Sequence, residues 1–147
     1  MKVANKTIEF QTKTELDFID ITEDVKKFIK ESKIENGIVN VQSFHTTAAV
    51  VVNENEPLLI DDFKSHLENV ASKNSNYKHN DFSVRTVNMC EDECVNGHAH
   101  CRALHLPVST VINLLKGELQ LGRWQRIFFV ELDQPRKRKI QIQILGE

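Results

Sequence analysis

"RWQRIFFVELDQPRKRKIQIQIL", running from Arg123 to Leu145, is the stretch whose reading decides the fold. Arg123 to Leu132 and Lys139 to Leu145 read as two strands, joined by the polar, proline-containing Asp133-Gln-Pro-Arg136. The basic run Pro135 to Lys139 sits between them. There it reads as a solvated hairpin turn rather than a nucleic-acid patch. Just upstream, Gly117 marks a turn, Leu119 to Leu121 a short strand, and Gly122 a break.

The other end of the chain is also β-like. Val3 to Thr12 alternates around Ile8 and Phe10, and Leu16 to Ile21 alternates again, which predicts an early hairpin. Thr22 can cap a helix whose acidic first turn, Glu23-Asp24, suits the positive end of the dipole. Val25, Phe28 and Ile29 form its buried stripe, and Asn36-Gly37 supplies a stop. Ile38 to Asn53 is β-rich, and its apolar run Ala48 to Val52 predicts a strand buried on both faces. Pro57 opens a second helix whose stripe is Leu59, Phe63, Leu67 and Val70, ending near Lys73. Asn74 to Asp81 is loop-like, Ser83 to Val87 alternates weakly, His98 to Leu106 suggests a short helix, and Val108 to Ile112 a strand. Strands at both ends with two main helices between them give an α+β fold with a largely antiparallel sheet.

No linker or repeat interrupts the 147 residues, so residues 1–147 are expected to form a single compact domain. At that length folding buries roughly two-thirds of the unfolded surface. A formal charge of −2 argues against sequence-independent nucleic-acid binding. No apolar run is long enough to span a membrane, and the polar start MKVANKTIEF lacks the apolar core of a signal peptide. The three cysteines therefore read as reduced thiols of a cytoplasmic protein.

Several polar clusters carry chemistry. His45-Thr46-Thr47 interrupts a buried-looking strand, where it is either a satisfied core histidine or a ligand or general base at a cleft. Asn53-Glu54-Asn55-Glu56 follows that strand, as the cap of the next helix or as part of a pocket. "ECVNGHAHCRALHLP", Glu93 to Pro107, admits three readings. Cys90, Cys94, His98 and Cys101 form a structural zinc site; or His98 and His100 chelate one ion; or a single histidine joins partners from elsewhere. Asn96-Gly97 breaks the first series, and residues i and i+2 diverge on a helix. His79 lies in a polar loop without a packing reason, so His45, His79 and His100 offer three neutral imidazoles for an open transition-metal site. Gly122-Arg-Trp-Gln-Arg126 offers Arg123 and Arg126 as a phosphate grip, or an edge strand with Trp124 in the core.

"SFHTTAAVVVNENE", "YKHND", "NGHAHCRA" and "LGRWQRIFFVELDQPRKRKIQI" occur in the order seen in the YjbQ-like family, which the chain resembles over essentially its whole length. The resemblance implies a YjbQ-like fold, a homotrimer, and a cleft where His45, His79 and His100 meet on a divalent metal. It also implies a secondary thiamine-phosphate synthase activity, which joins hydroxymethylpyrimidine diphosphate to thiazole phosphate and releases pyrophosphate. Glu54 and Asn53 are then expected to position water or substrate, and Arg123, Arg126 and Arg102 to neutralise the leaving group. His98, Thr46 and Gln125 complete the expected cofactor-contacting set. The imidazoles favour a zinc-type ion, whereas diphosphate chemistry usually relies on magnesium. A zinc-type hydrolase using Glu54 as base, and a non-catalytic trimeric protein that binds a small anionic ligand, are the alternatives.

Overall fold

Period-two alternation builds the strand that organises the protein. Along Lys137–Gly146, Arg138, Ile140, Ile142 and Ile144 are buried while Lys137 and Lys139 are exposed, so one face of the strand turns to a core. The computed structural model describes residues 1–147. Its first elements are β1 (Lys2–Gln11), β2 (Asp17–Asp20), α1 (Thr22–Ser32), β3 (Gly37–Ser43), β4 (Ala48–Glu54) and α2 (Pro57–Val70). A 3₁₀ turn at Lys78–Asn80 precedes α3 (Gly97–Ala103), β5 (Ser109–Leu115), β6 (Glu118–Leu119), β7 (Gln125–Glu131) and β8 (Lys137–Gly146).

The strands form two antiparallel sheets. One is ordered β1-β8-β3-β5-β6 and the other β2-β7-β4. The main core lies between them, with Val39, Ile112, Ile142 and Ile144 of the large sheet meeting Val50, Ile127 and Phe129 of the small one. Val25, Phe28 and Ile29 of α1 belong to that core, as their spacing predicts. A second cluster covers the opposite face of the small sheet, where Ala49, Phe128 and Val130 pack against Leu67 of α2 and Ala99 of α3. The small sheet is thus apolar on both faces, which accounts for the unbroken apolar run at the start of β4. The fold is α+β, with mostly antiparallel sheets and two longer helices, as the sequence predicts. No helix is long and apolar enough to cross a membrane.

Neither expected hairpin forms. β1 pairs with β8 and β2 with β7, and β7 and β8 belong to different sheets. Alternation reports which face a strand buries but not which strand lies beside it, and both short connectors here cross between the layers. Ser83 to Val87 is not a strand. In α2 only Leu67 of the expected stripe is fully buried, and the helix ends at Val70. Glu56 rather than a neighbour caps α2, its carboxylate accepting from the backbone N–H groups of Leu58 (3.0 Å) and Leu59 (2.8 Å). Trp124 is 60% exposed, so it is not a core residue.

The basic run is solvated only at Pro135, Lys137 and Lys139, and its arginines turn inward. Arg138 is buried, and Arg136 is half-buried. Arg138 grips Glu131 across the two sheets, its Nε donating to Oε2 at 2.6 Å and its Nη2 to Oε1. Thr12 donates to the same carboxylate (3.0 Å), as does the backbone N–H of Asp133 (3.0 Å), and Arg138 also donates to the Thr47 hydroxyl (3.0 Å). Such a pair is tolerated in a core because every lone pair finds a donor. Removing one partner leaves a buried charge, which costs about 3–5 kcal/mol, whereas an apolar pair is far better tolerated. Urea unfolding of Glu131→Leu and Arg138→Met is expected to show that loss in each single variant, with the double variant more stable than either. A double variant as weak as the sum of the singles would disprove the coupling.

Candidate functional site

Five segments converge on an open cleft of about 830 Å³: the β3–β4 connector, the 3₁₀ turn, the loop from Arg85 to Asn96, α3, and the β7–β8 connector. His45, His79 and His100, the three histidines expected to meet, all line it.

Each is positioned by local chemistry. The Ser43 hydroxyl accepts from the backbone N–H of His45 (3.2 Å) and bends the chain out of β3. The backbone N–H of Lys139 donates to His45 Nε2 at 2.8 Å. In the neutral ring the proton then sits on Nδ1, leaving His45 an N–H donor. Gly97 opens α3 because nothing larger fits: a Cβ there would lie 2.6 Å from Cβ of Tyr77. Its N–H donates to the Asn80 side chain at 2.9 Å, clamping the 3₁₀ turn onto α3. That contact brings the His79 and His100 rings edge to face, with centroids 4.7 Å apart. Arg85 stitches the loop beside them, pairing with Glu93 (3.1 Å) and donating to the Asn88 carbonyl (2.8 Å).

The electrostatics favour neutral imidazoles. Burial, and then the Arg138 charge, lower the pKa of His45. Burial, and then His79, lower that of His100. Four cationic side chains, Lys78, Arg85, Arg136 and Arg138, line the cleft against two carboxylates, Asp92 and Glu93. Arg136 is held by Asp133 (2.9 Å) and donates to Cys94 Sγ, but its Nε is buried without a partner. His79 Nε2 is likewise unpartnered. Burial, and then Asp133, raise the pKa of Cys94, so its thiol is not poised as a nucleophile.

The expected three-imidazole metal site does not fit this arrangement. No three His, Cys, Asp or Glu side chains stand close enough to hold an ion, and the Nε2 lone pair of His45 is engaged by the backbone. His79 and His100 remain as a pair.

Other expected members lie elsewhere. His98 points away from His100, as helical geometry dictates for residues i and i+2. It is buried, 3.3 Å from Glu15 but without hydrogen-bond geometry, and it does not line the cleft. Arg102 is fully buried and committed. It donates to Glu15 (2.8 Å), to the Ala71 carbonyl (3.0 Å) and to Glu68, so it is a structural tie and no diphosphate ligand. Thr46 does line the cleft.

Asn53, Glu54, Gln125 and Arg126 form a second group at the far end of the small sheet. Asn53 faces Arg126 and Glu54 faces Gln125, whereas the cleft end of the same ladder is Ala48 facing Glu131. Six residues of strand separate the ends by about 20 Å. Arg126 is neutralised there by Asp20 (2.7 Å) and Glu23 (3.1 Å), and the Gln125 side chain accepts from the Gly122 N–H (2.7 Å). Arg123 stacks on Trp124, 4.6 Å from the ring. These residues and the histidines do not form one site within one chain.

The residues the sequence reading missed are Lys78, Arg85 and Arg136. Arg136 and Arg138 alternate with Lys137 and Lys139, and that period of two was the available sign that one pair turns inward.

His45, His98 and His100 all have folded pKa values below the unfolded histidine value of about 6.5. Their contribution to stability is present above that value and is lost as the pH falls, because the unfolded chain binds more protons. The carboxylates with lowered values, such as Glu15, act only at more acidic pH. Denaturant unfolding is expected to show stability falling from pH 7.5 to 5.5, with a shallower fall in His98→Gln. An equal fall in that variant would show that the fold leaves the His98 pKa unchanged, and a steeper one that it raises it.

The family model described as "UPF0047 protein YjbQ-like" matches residues 6–147. A UPF0047 protein of Methanothermobacter thermautotrophicus is 36% identical over 147 residues, covering 100% of this chain and 95% of its own. The UPF0047 protein YugU of Bacillus subtilis is 30% identical over 144 residues, covering 96% and 98%. Among solved structures, a YbjQ-like protein of unknown function from Sulfolobus solfataricus P2 superposes with a TM-score of 0.89 at 35% identity, covering 99% of each chain. A hypothetical protein from Aeropyrum pernix K1 gives 0.84 at 36% identity, covering 100% of each.

Proposed function

As this chain belongs to the YjbQ-like UPF0047 family, we propose that its histidine-lined cleft binds a small phosphorylated substrate and acts as a transferase of the thiamine-phosphate synthase kind. The observation that carries the reading is the concentration of unspent donors in one cleft. They are the Lys78 ammonium and the Nδ1–H of His45, backed by two buried atoms without partners, Nε of Arg136 and Nε2 of His79. A cleft with such a surplus stabilises an anion, and above all one on which charge is growing.

In the proposed reaction the bond from the pyrimidine methylene to the diphosphate oxygen breaks. The thiazole nitrogen bonds to that carbon, and the electron pair leaves with pyrophosphate. Lys78 and Arg136 take the leaving oxygens, and Thr46 and His45 donate to the diphosphate from the facing connector. The divalent ion expected at His45, His79 and His100, zinc-type for imidazoles or magnesium for a diphosphate, does not fit this arrangement, so no step is routed through it.

Glu54, Asn53, Gln125, Arg123 and Arg126 share this chemistry only if another copy of the chain delivers them, because in their own chain they lie about 20 Å away along β4. A homotrimer provides such copies. The outer edge of β5 supports assembly, since β6 pairs only with Leu114 and Leu115 and leaves the strand's earlier residues open beside the exposed Val111. The same distance weakens the zinc-hydrolase alternative, whose expected base is Glu54. The unpaired thiols of Cys90, Cys94 and Cys101 accord with a reducing, cytoplasmic setting.

Pyrophosphate release from the two thiamine precursors, with magnesium or zinc present, is expected in the natural protein and to fall about a hundredfold in Lys78→Ala and His100→Ala. Equal rates in all three proteins would refute the transferase, and binding of substrate without turnover would favour a ligand-binding protein.

Pyrophosphate binding should also raise the lowered pKa values of His45 and His100. Calorimetry in buffers of different ionisation enthalpy is then expected to show proton uptake near pH 6, with affinity rising as pH falls. Light scattering across concentrations tests the assembly, and a stable monomer would remove it.

A further inference from the structure

Beside the polar cleft, on the other side of the histidine wall, lies an apolar groove of about 390 Å³. His45, Thr46 and His100 line both spaces. The groove has no charged residue in its lining, whereas the cleft is lined by four cations and two carboxylates. Ala48, Cys101 and Ala103 keep it open because their side chains are short. Leu106, Val108 and Leu104 supply its apolar walls, and Leu104 is 85% exposed at the rim. An aliphatic side chain left that open gains by being covered, and the groove's size lies at the lower end of small-molecule sites.

We infer that this groove receives the apolar part of the same substrate, so that the natural ligand is amphipathic. Its phosphate head sits in the polar cleft, and its hydrocarbon or aromatic body lies against Leu104, Leu106 and Val108. The inference rests on reading the cleft as a phosphate site. Continuity decides the occupant: His45, Thr46 and His100 border both spaces, so a group leaving the phosphate past them meets the groove next. It passes from charged to uncharged lining in the space of one histidine ring. The two imidazoles suit that boundary, since an imidazole combines a polar edge with an apolar face.

The test is a series of straight-chain alkyl phosphates, from methyl to hexyl, titrated by calorimetry into the full chain and into Leu104→Ser and Val108→Trp. Both substituted positions are exposed and lie outside the polar cleft. Affinity is expected to rise roughly three- to fourfold per methylene in the natural protein until the groove is filled. The rise should flatten in Leu104→Ser, which removes apolar wall, and in Val108→Trp, which fills the space. Methyl phosphate, too short to reach the groove, reports on the cleft alone. If methyl phosphate binds but chain length has no effect, or if both variants keep the full rise, the apolar subsite is overturned while the cleft reading stands. If no ester binds at any length, the phosphate cleft itself falls and the inference with it. Light scattering on the same samples covers the remaining case: a mass that drops as longer chains bind would mean that a second copy fills the groove, which also overturns the proposal.

Discussion

A carboxylate and a guanidinium sealed between two sheets set the terms for everything around them. Glu131 ends β7 and Arg138 begins the buried face of β8, so their pairing fixes the distance at which the chain steps from one layer to the other. Two further hydroxyls complete the arrangement: Thr12 closes it from β1 and Thr47 from the mouth of β4. The floor of the cleft is therefore the polar seam of the core. After burial, which lowers the His45 pKa, the two charges of the pair act on it in opposite directions, Arg138 lowering and Glu131 raising it, so the interaction that joins the sheets reaches the site as electric field.

A second buried arginine performs a comparable service on the helical side. Arg102 reaches the β1–β2 connector through Glu15 and α2 through Glu68 and Ala71, holding α3 in place from behind. With α3 fixed, the absence of a side chain at Gly97 lets the 3₁₀ turn approach, and His79 meets His100. The histidine pair thus depends on charges that never touch a ligand. That dependence explains why Arg102, which on chemical type alone looks like a phosphate grip, is unavailable for one.

The sequence was most legible where periodicity carries the information. The buried stripe of α1, the doubly buried start of β4 and the divergence of His98 from His100 all follow from spacing. Strand partnership was not legible, because period two is indifferent to the identity of the neighbour. The two expected hairpins and the supposedly solvated basic turn share that cause. His45, His79 and His100 were named together from residue type and then from family resemblance and do share a cleft, yet Glu54 and Arg126 were grouped with them and lie at the other end of the sheet. Linear order placed both groups near β4; only the register of β4 on β7 shows that they flank it at opposite ends. Lys78, Arg85 and Arg136 escaped notice because a basic residue in a polar loop looks solvated until its neighbours are known.

The pairing of residues 2–11 with residues 137–146 has a consequence for the order in which the molecule assembles. β8 is made after both β1 and β3 and yet stands between them inside the large sheet. During synthesis on a ribosome, β1 and β3 both lack their shared neighbour until residues 137–146 emerge. Long sequence separation of this kind slows folding, since chain entropy is lost before the contacts that compensate for it can form. Loss of residues 137–146 would remove the middle of the sheet rather than its margin, together with one half of the ion pair that joins the two layers.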